Sequence, residues 1–297
     1  MSNLHGLTTE EVNRETRNID EMEPYDILRV INQEDQKVAL AVEQELPQIA
    51  KAVDLMVAAL KRGGRVVYLG AGTSGRLGVL DAAECPPTFG TPKGQFLGLI
   101  AGGEAAILEA VEGAEDSPEA GVEDLRQIHL SEKDVLVGIA ASGRTPYVIG
   151  GLTYGKSVGT PVISLCCNQG AAISALADVA IVPVVGPEVV AGSTRMKAGT
   201  AQKMVLNMMS TATMIAMGKV YHNLMVDLQA TNQKLMERSK RIIMLATGIE
   251  EGAALEALKN AGDQPKVAIV MVKGGYTYQE AVEQLEKANG FIKKALE

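Results

Sequence analysis

The sequence contains no tryptophan, three phenylalanines, three histidines and three cysteines among its 297 residues. So few aromatic side chains leave little surface on which nucleic-acid bases could stack. Basic residues are also in the minority, with 28 lysines and arginines against 36 aspartates and glutamates, a net charge of −8. This balance argues against an electrostatic attraction to a polyanion. We therefore expect no nucleic-acid partner.

The scarce cysteines and histidines predict neither a disulfide framework nor a metal site. Cys85 stands alone and Cys166 is adjacent to Cys167, which is typical of reduced thiols in a cytoplasmic protein. No group of residues has metal-ligand spacing, so we predict no metal. No apolar run approaches the ~20 residues of a membrane helix, and the first 21 residues are too polar for a signal peptide. We expect a cytoplasmic protein that does not bind a membrane.

An alternation of short apolar runs with helix-compatible stretches follows a helical N-terminal segment. Apolar residues recur at helical spacing between Ile27 and Leu60, and Gly63-Gly64 ends the pattern. Strands alternating with helices predict parallel βαβ units. The predicted strands are residues 66–69, 96–100, 135–140, 161–165 and 179–184, and the predicted helices lie near residues 75–84, 103–114, 146–158 and 170–176.

The last third of the chain predicts helices. Residues 193–236 are rich in methionine and indicate one long helix whose methionines fill a core. Glycines punctuate shorter segments from about residue 240, which suggests a small helical module. Within it, residues 267–272 have the β-branched content of a strand, and their periodicity alone leaves strand and helix open. The predicted divisions are residues 1–60, 61–238 and 239–297.

Two segments of the chain resemble each other at an offset of 68 residues, namely residues 66–76 and 134–144. Each is a strand that runs into a polar Ser-Gly-Arg turn and then a helix, which directs N–H groups toward an anion. The serines add donors, and Arg76 or Arg144 could add charge. In a flavodoxin-like sheet of order 2-1-3-4-5, the first and third strands are neighbours. Both turns would therefore face one crevice.

The first of these segments also contains Gly70-x-Gly72-x-x-Gly75, the dinucleotide fingerprint. A dinucleotide site also needs an acidic residue at the end of the second strand, and Glu104 comes too late for this. A single phosphate held by both turns is therefore favoured. A dinucleotide site and plain tight turns remain as alternatives.

The paired turns resemble the sugar isomerase (SIS) domain, which binds phosphosugars. Residues 69–90, 138–146 and 192–203 more closely resemble the N-acetylmuramic acid 6-phosphate etherase family, and the similarity extends over nearly the whole chain, with departures at Val12 and at residues 189–191. The resemblance implies an α/β fold: a three-layer αβα SIS domain with a five-stranded parallel flavodoxin-like sheet, an N-terminal helical arm and a small C-terminal helical module. It favours a helix over residues 267–272, and it implies a homodimer with the site near the subunit boundary.

The resemblance also implies a reaction. Members of this family are lyases that cleave the lactyl ether of N-acetylmuramic acid 6-phosphate by elimination and then add water. The products are N-acetylglucosamine 6-phosphate and D-lactate, a step in the recycling of cell-wall amino sugar. Such an elimination needs a base and an acid, but no metal or other cofactor. Two other functions stay open, a phosphosugar sensor without catalysis, as in the related glucokinase regulatory protein, and an aldose–ketose phosphosugar isomerase.

Two glutamates fall on the catalytic positions of the family. Glu84 precedes Cys85-Pro86-Pro87, which should end the helix, and the negative partial charge of a helix C-terminus suits a proton donor. Without the resemblance, Glu84 is more simply a solvated residue. Glu115 belongs to a run of seven acidic residues between positions 104 and 123, which by itself indicates a solvated face. Its catalytic assignment rests on the match of residues 111–116 to the family.

The resemblance and the two turns together give a set of candidate phosphate ligands. Those in the turns would use hydroxyl groups, backbone N–H groups or a guanidinium. Those at the start of the third matching stretch would close the site, or would merely cap the next helix. Arg144, like Arg76, could instead belong to a structural ion pair. The candidate phosphate ligands are Thr73, Ser74, Gly75, Ser142, Gly143, Arg144, Thr145, Ser193, Thr194 and Lys197.

Overall fold

A computed structural model of the protein describes residues 6–228 and 233–297. The chain divides into two compact units, the first formed by Met1–Ala83 and Gly94–Ser210 and the second by Glu84–Lys93 and Thr211–Glu297. The divisions predicted after residues 60 and 238 stay a prediction. Within the described ranges, no helix has the length and apolar character needed to cross a bilayer.

The first unit begins with a helical arm. Three short 3-10 helices at Thr8–Glu10, Arg14–Thr16 and Ile19–Glu21 precede two long helices, α1 (Pro24–Glu43) and α2 (Leu46–Lys61). Their apolar residues recur every three or four positions, so each helix buries one face. The helix predicted for this region is confirmed from Pro24 onward.

A five-stranded parallel sheet forms the centre of the first unit. Its strand order is β2-β1-β3-β4-β5, and all four strand pairings are parallel, as predicted. The strands are β1 (Val66–Gly70), β2 (Phe96–Ile100), β3 (Val135–Ile139), β4 (Val162–Leu165) and β5 (Val179–Ile181). The helices between and after them are α3 (Gly72–Phe89), α4 (Ala105–Leu108), α5 (Pro118–Gln127), α6 (Pro146–Ser157), α7 (Ala172–Leu176) and α8 (Lys197–Ala216).

The central strands are buried on both faces. Every residue of β1, β3 and β4 is buried, which explains why these segments are almost entirely apolar, with Ser164 as the polar exception. Helix α6 packs against the sheet through Tyr147, Val148 and Leu152, whose exposed fractions are all 0%. The predicted α/β class and sheet order are confirmed.

The sequence predicts that helix α3 ends before Pro86 and Pro87, and this prediction is wrong. It includes both prolines and ends at Phe89, and the N–H of Gly90 donates to the Pro86 carbonyl at 2.9 Å. Each proline removes only its own N–H bond, and the last turn still closes behind them. Glu84 therefore lies more than one turn before the helix end, beyond the last turn in which the partial charge of the C-terminus acts.

The predicted helix over residues 103–114 is also wrong for most of its length. Only α4 and a 3-10 helix at Ala114–Asp116 form there. The backbone of Glu109 after α4 is extended, and Gly113 before the 3-10 helix has a φ of +72°. Helix α5 was not predicted, although Ser117 and Pro118 mark its start in the sequence. The Ser117 side chain accepts a hydrogen bond from the Ala120 N–H at 3.1 Å, and Pro118 occupies the first helical position.

The methionine-rich stretch forms two helices instead of one. Helix α8 ends at Ala216, and Gly218 follows with a φ of +74°. A short hairpin of β6 (Val220–Tyr221) and β7 (Leu224–Met225) comes next, with residue His222 in its turn at a φ of +54°. Residues 229–232 of the predicted helix lie outside the described residues.

The second unit is a helical module with its own core. Its helices are α9 (Gln233–Thr247), α10 (Glu251–Asn260), α11 (Pro265–Gly274), α12 (Tyr278–Lys287) and α13 (Ile292–Ala295). Residues 267–272 lie in α11, so the helix favoured by the resemblance is confirmed. A proline at the first helical position and the left-handed Gly275 after the last define its ends. Val267, Ala268, Ile269 and Val270 are buried in the core of this unit.

Candidate active site

The turn between β1 and α3 is built on two glycines in direct contact. A Cβ atom on Gly70 would lie 2.8 Å from the Gly75 nitrogen, and one on Gly75 would lie 2.7 Å from the Gly70 carbonyl oxygen. Only glycine permits this approach. The approach brings the first turn of α3, with Thr73 and Ser74, against the carboxyl end of β1.

The turn between β3 and α6 lies at the same edge of the sheet. Gly70 pairs with Ile139 in the ladder between β1 and β3, so the two turns follow neighbouring strand ends. Gly143 has a φ of +68°, and the N–H of Arg144 donates to the Ser142 hydroxyl at 3.2 Å. The Thr145 side chain precedes α6 but makes no capping bond to it.

A cavity of about 420 Å³ opens between these two turns. It brings together seven of the residues predicted from the sequence, of which six are phosphate-binding candidates and one is a catalytic glutamate. These seven are Thr73, Ser74, Glu115, Ser142, Arg144, Thr145 and Thr194. The remaining lining residues are Leu7, Glu10, Ala71, Gly72, Asp116, Ala140, Ala141 and Pro146.

The other predicted site residues do not line this cavity. The Gly75 N–H donates to the Ala71 carbonyl at 3.1 Å and the Gly143 N–H to the Ala140 carbonyl at 3.0 Å, both inside their own turns. Either group would have to give up its bond to reach a phosphate. Ser193 precedes the lining residue Thr194 but is not itself part of the lining.

Lys197 is buried in an ion pair. Its side chain is 1% exposed, and its Nζ lies 2.6 Å from Glu34 Oε2. Burial would raise the pKa of Glu34, but hydrogen bonds from Lys197 and Lys37 outweigh it and lower that pKa. Glu188 accepts bonds from the N–H groups of Lys197 and Ala198 at 3.0 and 2.9 Å. Glu188, not Ser193 or Thr194, thus binds the first amides of α8.

Ser74 has a buried partner that the sequence analysis missed. Its hydroxyl donates to Gln202 Oε1 at 2.9 Å, and Gln202 is 1% exposed. Among the described residues, Gln202 Nε2 has no hydrogen-bond partner. The only sequence signal for this residue is its place within the third matching stretch, residues 192–203.

The two candidate catalytic glutamates occupy different positions. Glu115 is exposed in the 3-10 helix Ala114–Asp116 and lines the cavity. Glu84 is also exposed, but it lies ten residues beyond Ser74 on α3, about 15 Å along the helix axis. It is not among the lining residues.

A second, smaller cavity adjoins the first. Its volume is about 220 Å³, and it shares Ala71, Gly72 and Glu115 with the larger one. Arg76 lines it and donates from Nε to the Ile107 carbonyl at 2.9 Å. The sequence left a structural ion pair open for Arg76, but its hydrogen bonds to Ile107 and Glu109 go to backbone carbonyls. No set of three potential metal ligands occurs within the described residues.

Comparisons with known proteins match domain families and full-length relatives. Residues 48–156 match the glucokinase regulatory protein N-terminal SIS domain, and residues 118–212 match the SIS domain. A protein of Alkaliphilus metalliredigens named N-acetylmuramic acid 6-phosphate etherase is 64% identical, over 100% of this chain and 97% of its own. One of the same name from a Geobacillus strain is 57% identical, over 99% of this chain and 100% of its own. A Bacteroides fragilis structure, named as a phosphosugar isomerase involved in capsule formation, aligns with a TM-score of 0.51 at 22% identity, over 66% of this chain and 94% of that one.

Proposed function

The chain belongs to the N-acetylmuramic acid 6-phosphate etherase family, and from that premise we propose how its cavity carries out the reaction. The chain is an etherase that acts on N-acetylmuramic acid 6-phosphate. One structural observation supports the assignment of the site: a single cavity gathers Ser74, Ser142 and Thr145 around an exposed glutamate, Glu115. Hydroxyl donors suit a phosphate, and a carboxylate suits proton transfer.

The reaction proceeds by elimination and then hydration. The sugar ring opens to the aldehyde, which makes the C2 proton acidic. A base removes this proton, and the C3–O bond breaks while an acid protonates the departing lactate oxygen. Water then adds to C3 of the unsaturated aldehyde, which gives N-acetylglucosamine 6-phosphate. This scheme assigns the enzyme to the hydro-lyases in the broad sense and requires no metal or redox cofactor.

The two turns hold the phosphate on C6. Thr73, Ser74, Ser142 and Thr145 donate hydroxyl protons to its oxygens, and Arg144 neutralises part of its charge. Thr194 closes the cavity from the segment before α8. This arrangement orients the sugar so that its C2 and C3 atoms face the glutamates.

Glu115 and Glu84 divide the proton transfers. Glu115 lines the cavity and removes or returns the C2 proton. Glu84, which falls on the proton-donating residue of the family, protonates the lactate oxygen. The enzyme works as a homodimer with its site near the subunit boundary, in the cytoplasm, where it recycles cell-wall amino sugar. Within the part of the chain that the structure describes, Cys85, Cys166 and Cys167 are thiols and not disulfides, which fits a reducing compartment.

The two alternative functions are less well supported. The match to the glucokinase regulatory protein covers residues 48–156 only. The relatives that carry the etherase name match 99–100% of the chain. A single measurement also separates the three functions, because only an etherase releases lactate.

Lactate release from N-acetylmuramic acid 6-phosphate tests the proposal. We expect the wild type to release D-lactate, and Glu115→Gln and Glu84→Gln to lower kcat by at least about a hundredfold, the usual contribution of general acid–base catalysis. Glu123→Gln is the matched control, since Glu123 is an exposed glutamate of the same acidic stretch. A folded wild type that binds the phosphosugar without releasing lactate would contradict the proposal.

A further inference from the structure

The smaller cavity has the features of a subsite for a short acidic group. Most of its wall consists of small apolar side chains, and its polar side chains are Arg76, Glu112 and Glu115. Because it shares Glu115 with the larger cavity, a sugar bound at the two turns could extend one substituent into it. The small apolar residues of the wall are Ala71, Ala101, Ala106, Ala110, Val111 and Ala114.

Arg76 is held in place by the loop that forms this wall. Its Nε donates to the Ile107 carbonyl at 2.9 Å and its Nη2 to the Glu109 carbonyl at 3.4 Å. A guanidinium has five N–H donors, so these two bonds leave donors for a further acceptor. A side chain that is already anchored loses little rotamer freedom when it binds a ligand. Arg76 is therefore suited to bind a carboxylate with two parallel bonds.

The chemistry of the substrate, which rests on the proposed function, supplies that carboxylate. The substrate has two anionic groups, the phosphate on C6 and the carboxylate of the lactyl ether on C3. Among the described residues that line the two cavities, the cationic side chains are Arg144 and Arg76. Arg144 belongs to the turn that holds the phosphate. Without Arg76, the lactyl carboxylate would meet only the like charges of Glu112 and Glu115.

We propose that Arg76 binds the carboxylate of the lactyl group and that the smaller cavity is the lactyl subsite. Arg76 then distinguishes the substrate from the product, because N-acetylglucosamine 6-phosphate has a hydroxyl group in place of the lactyl ether. The turns that hold the phosphate treat substrate and product alike. The same contact holds the sugar at the boundary of the two cavities, where its C2 proton lies beside Glu115.

Competition between substrate and product tests this assignment. In Arg76→Met we expect the KM for N-acetylmuramic acid 6-phosphate to rise about tenfold or more, the usual effect of losing hydrogen bonds between charged groups. The inhibition constant of N-acetylglucosamine 6-phosphate should change by less than about twofold, within the range of neutral surface substitutions. Ser74→Ala is the matched control and should raise both constants together.

Two further measurements separate binding from a purely structural role of Arg76. Arg76→Lys keeps the positive charge but cannot form two parallel hydrogen bonds with a carboxylate. Its KM should therefore lie between those of the wild type and Arg76→Met. The methyl ester of the lactyl carboxyl should be a poor substrate for the wild type, but Arg76→Met should handle ester and acid equally. Equal rises of KM and inhibition constant in both Arg76 variants would overturn the inference and leave the etherase intact. A wild type that releases no lactate would overturn the proposed function as well.

Discussion

Lys197 illustrates how burial decides the role of a single residue. The sequence places it in a stretch that matches the family's site, and a phosphate ligand is a natural expectation for a lysine there. In the structure its ammonium pairs with Glu34, which lies 163 positions away in the chain. A buried cation must have such a partner, because desolvation without one costs several kcal/mol. No local pattern could have identified that partner.

Gln202 leads to a prediction about how Ser74 binds phosphate. Ser74 has one hydroxyl proton, and in the structure it donates that proton to Gln202 Oε1. A phosphate oxygen needs the same proton. If the Gln202 amide turns over, Nε2, which has no partner among the described residues, can donate to Ser74 and release the proton for the phosphate. An ionised carboxylate in this place could only accept.

We therefore expect Gln202→Glu to weaken the binding of N-acetylglucosamine 6-phosphate by about tenfold or more, as for a lost bond to a charged group. Titration calorimetry would measure this dissociation constant. In a Ser74→Ala background, Gln202→Met should cause no further loss, because its effect passes through Ser74. An undiminished loss in that background would show that Gln202 acts in another way.

The parts of the site that could be predicted from the sequence are those with a local signature. The two Ser-Gly turns follow buried strands directly, so their residues and their shared crevice followed from spacing and topology. Glu115 was one of many acidic residues and became a candidate only through the family resemblance. Gln202 was missed because its contact with Ser74 joins positions 128 residues apart.

Among the helices and strands, too, the elements with a local sequence signature were the ones that could be predicted. The five strands were predictable because each is an apolar run beside a turn signal. The strand order is that of a flavodoxin-like sheet, which the family resemblance implied. The failures lie at Pro86 and Pro87, which are inside α3 although proline usually ends a helix. They also lie at Gly218, whose left-handed backbone ends α8 before the hairpin that divides the methionine-rich stretch.

A buried carboxylate joins the residues that immediately precede β1 and β3, namely Arg65 and Asp134. Asp134 is 2% exposed and accepts bonds from the Arg65 backbone N–H and guanidinium at 2.8–3.0 Å. Burial would raise the pKa of Asp134, but the bonds from Arg65 and Ser131 outweigh this and lower it. Because the folded-state pKa is lowered, the stabilisation is complete above the ordinary pKa of 3.8 and is lost as the pH falls through the lower folded value.

We expect Asp134→Asn to lower the free energy of unfolding by about 3 kcal/mol at pH 7, since it leaves Arg65 without its partner. The difference from the wild type should shrink as the pH falls below 3.8, the ordinary pKa. Urea unfolding at several pH values would measure both. Asp26→Asn is the control, because the pair of Asp26 and Arg29 is solvent-exposed and should contribute less than about 1 kcal/mol. A constant difference at all pH values would contradict this account.

At the scale of the whole molecule, the chain builds two compact units with different tasks in the proposal. The first unit contains the sheet, both cavities and Glu115, while Glu84 belongs to the second unit. The family resemblance implies a homodimer with its site near the subunit boundary. The proposed function requires Glu84 and Glu115 in one active site, and supply of the two by one chain or by two chains predicts different behaviour in mixtures.

Mixing two variants distinguishes these arrangements, if lactate release is assayed at a substrate concentration at which neither variant alone rises above background. If Glu84 serves the partner's cavity, a mixed dimer of Glu84→Gln and Ser74→Ala contains one site with both residues intact. Subunits unfolded together and refolded at equal concentration should then recover about a quarter of the wild-type lactate release, since half the dimers are mixed and each has one complete site. The control is the mixture of Glu115→Gln with Ser74→Ala, whose altered residues line the same cavity of one chain and which should stay inactive. Recovery in neither mixture would place Glu84 and Ser74 in one chain's site, whereas recovery in both would mean that the cavity itself is shared between subunits.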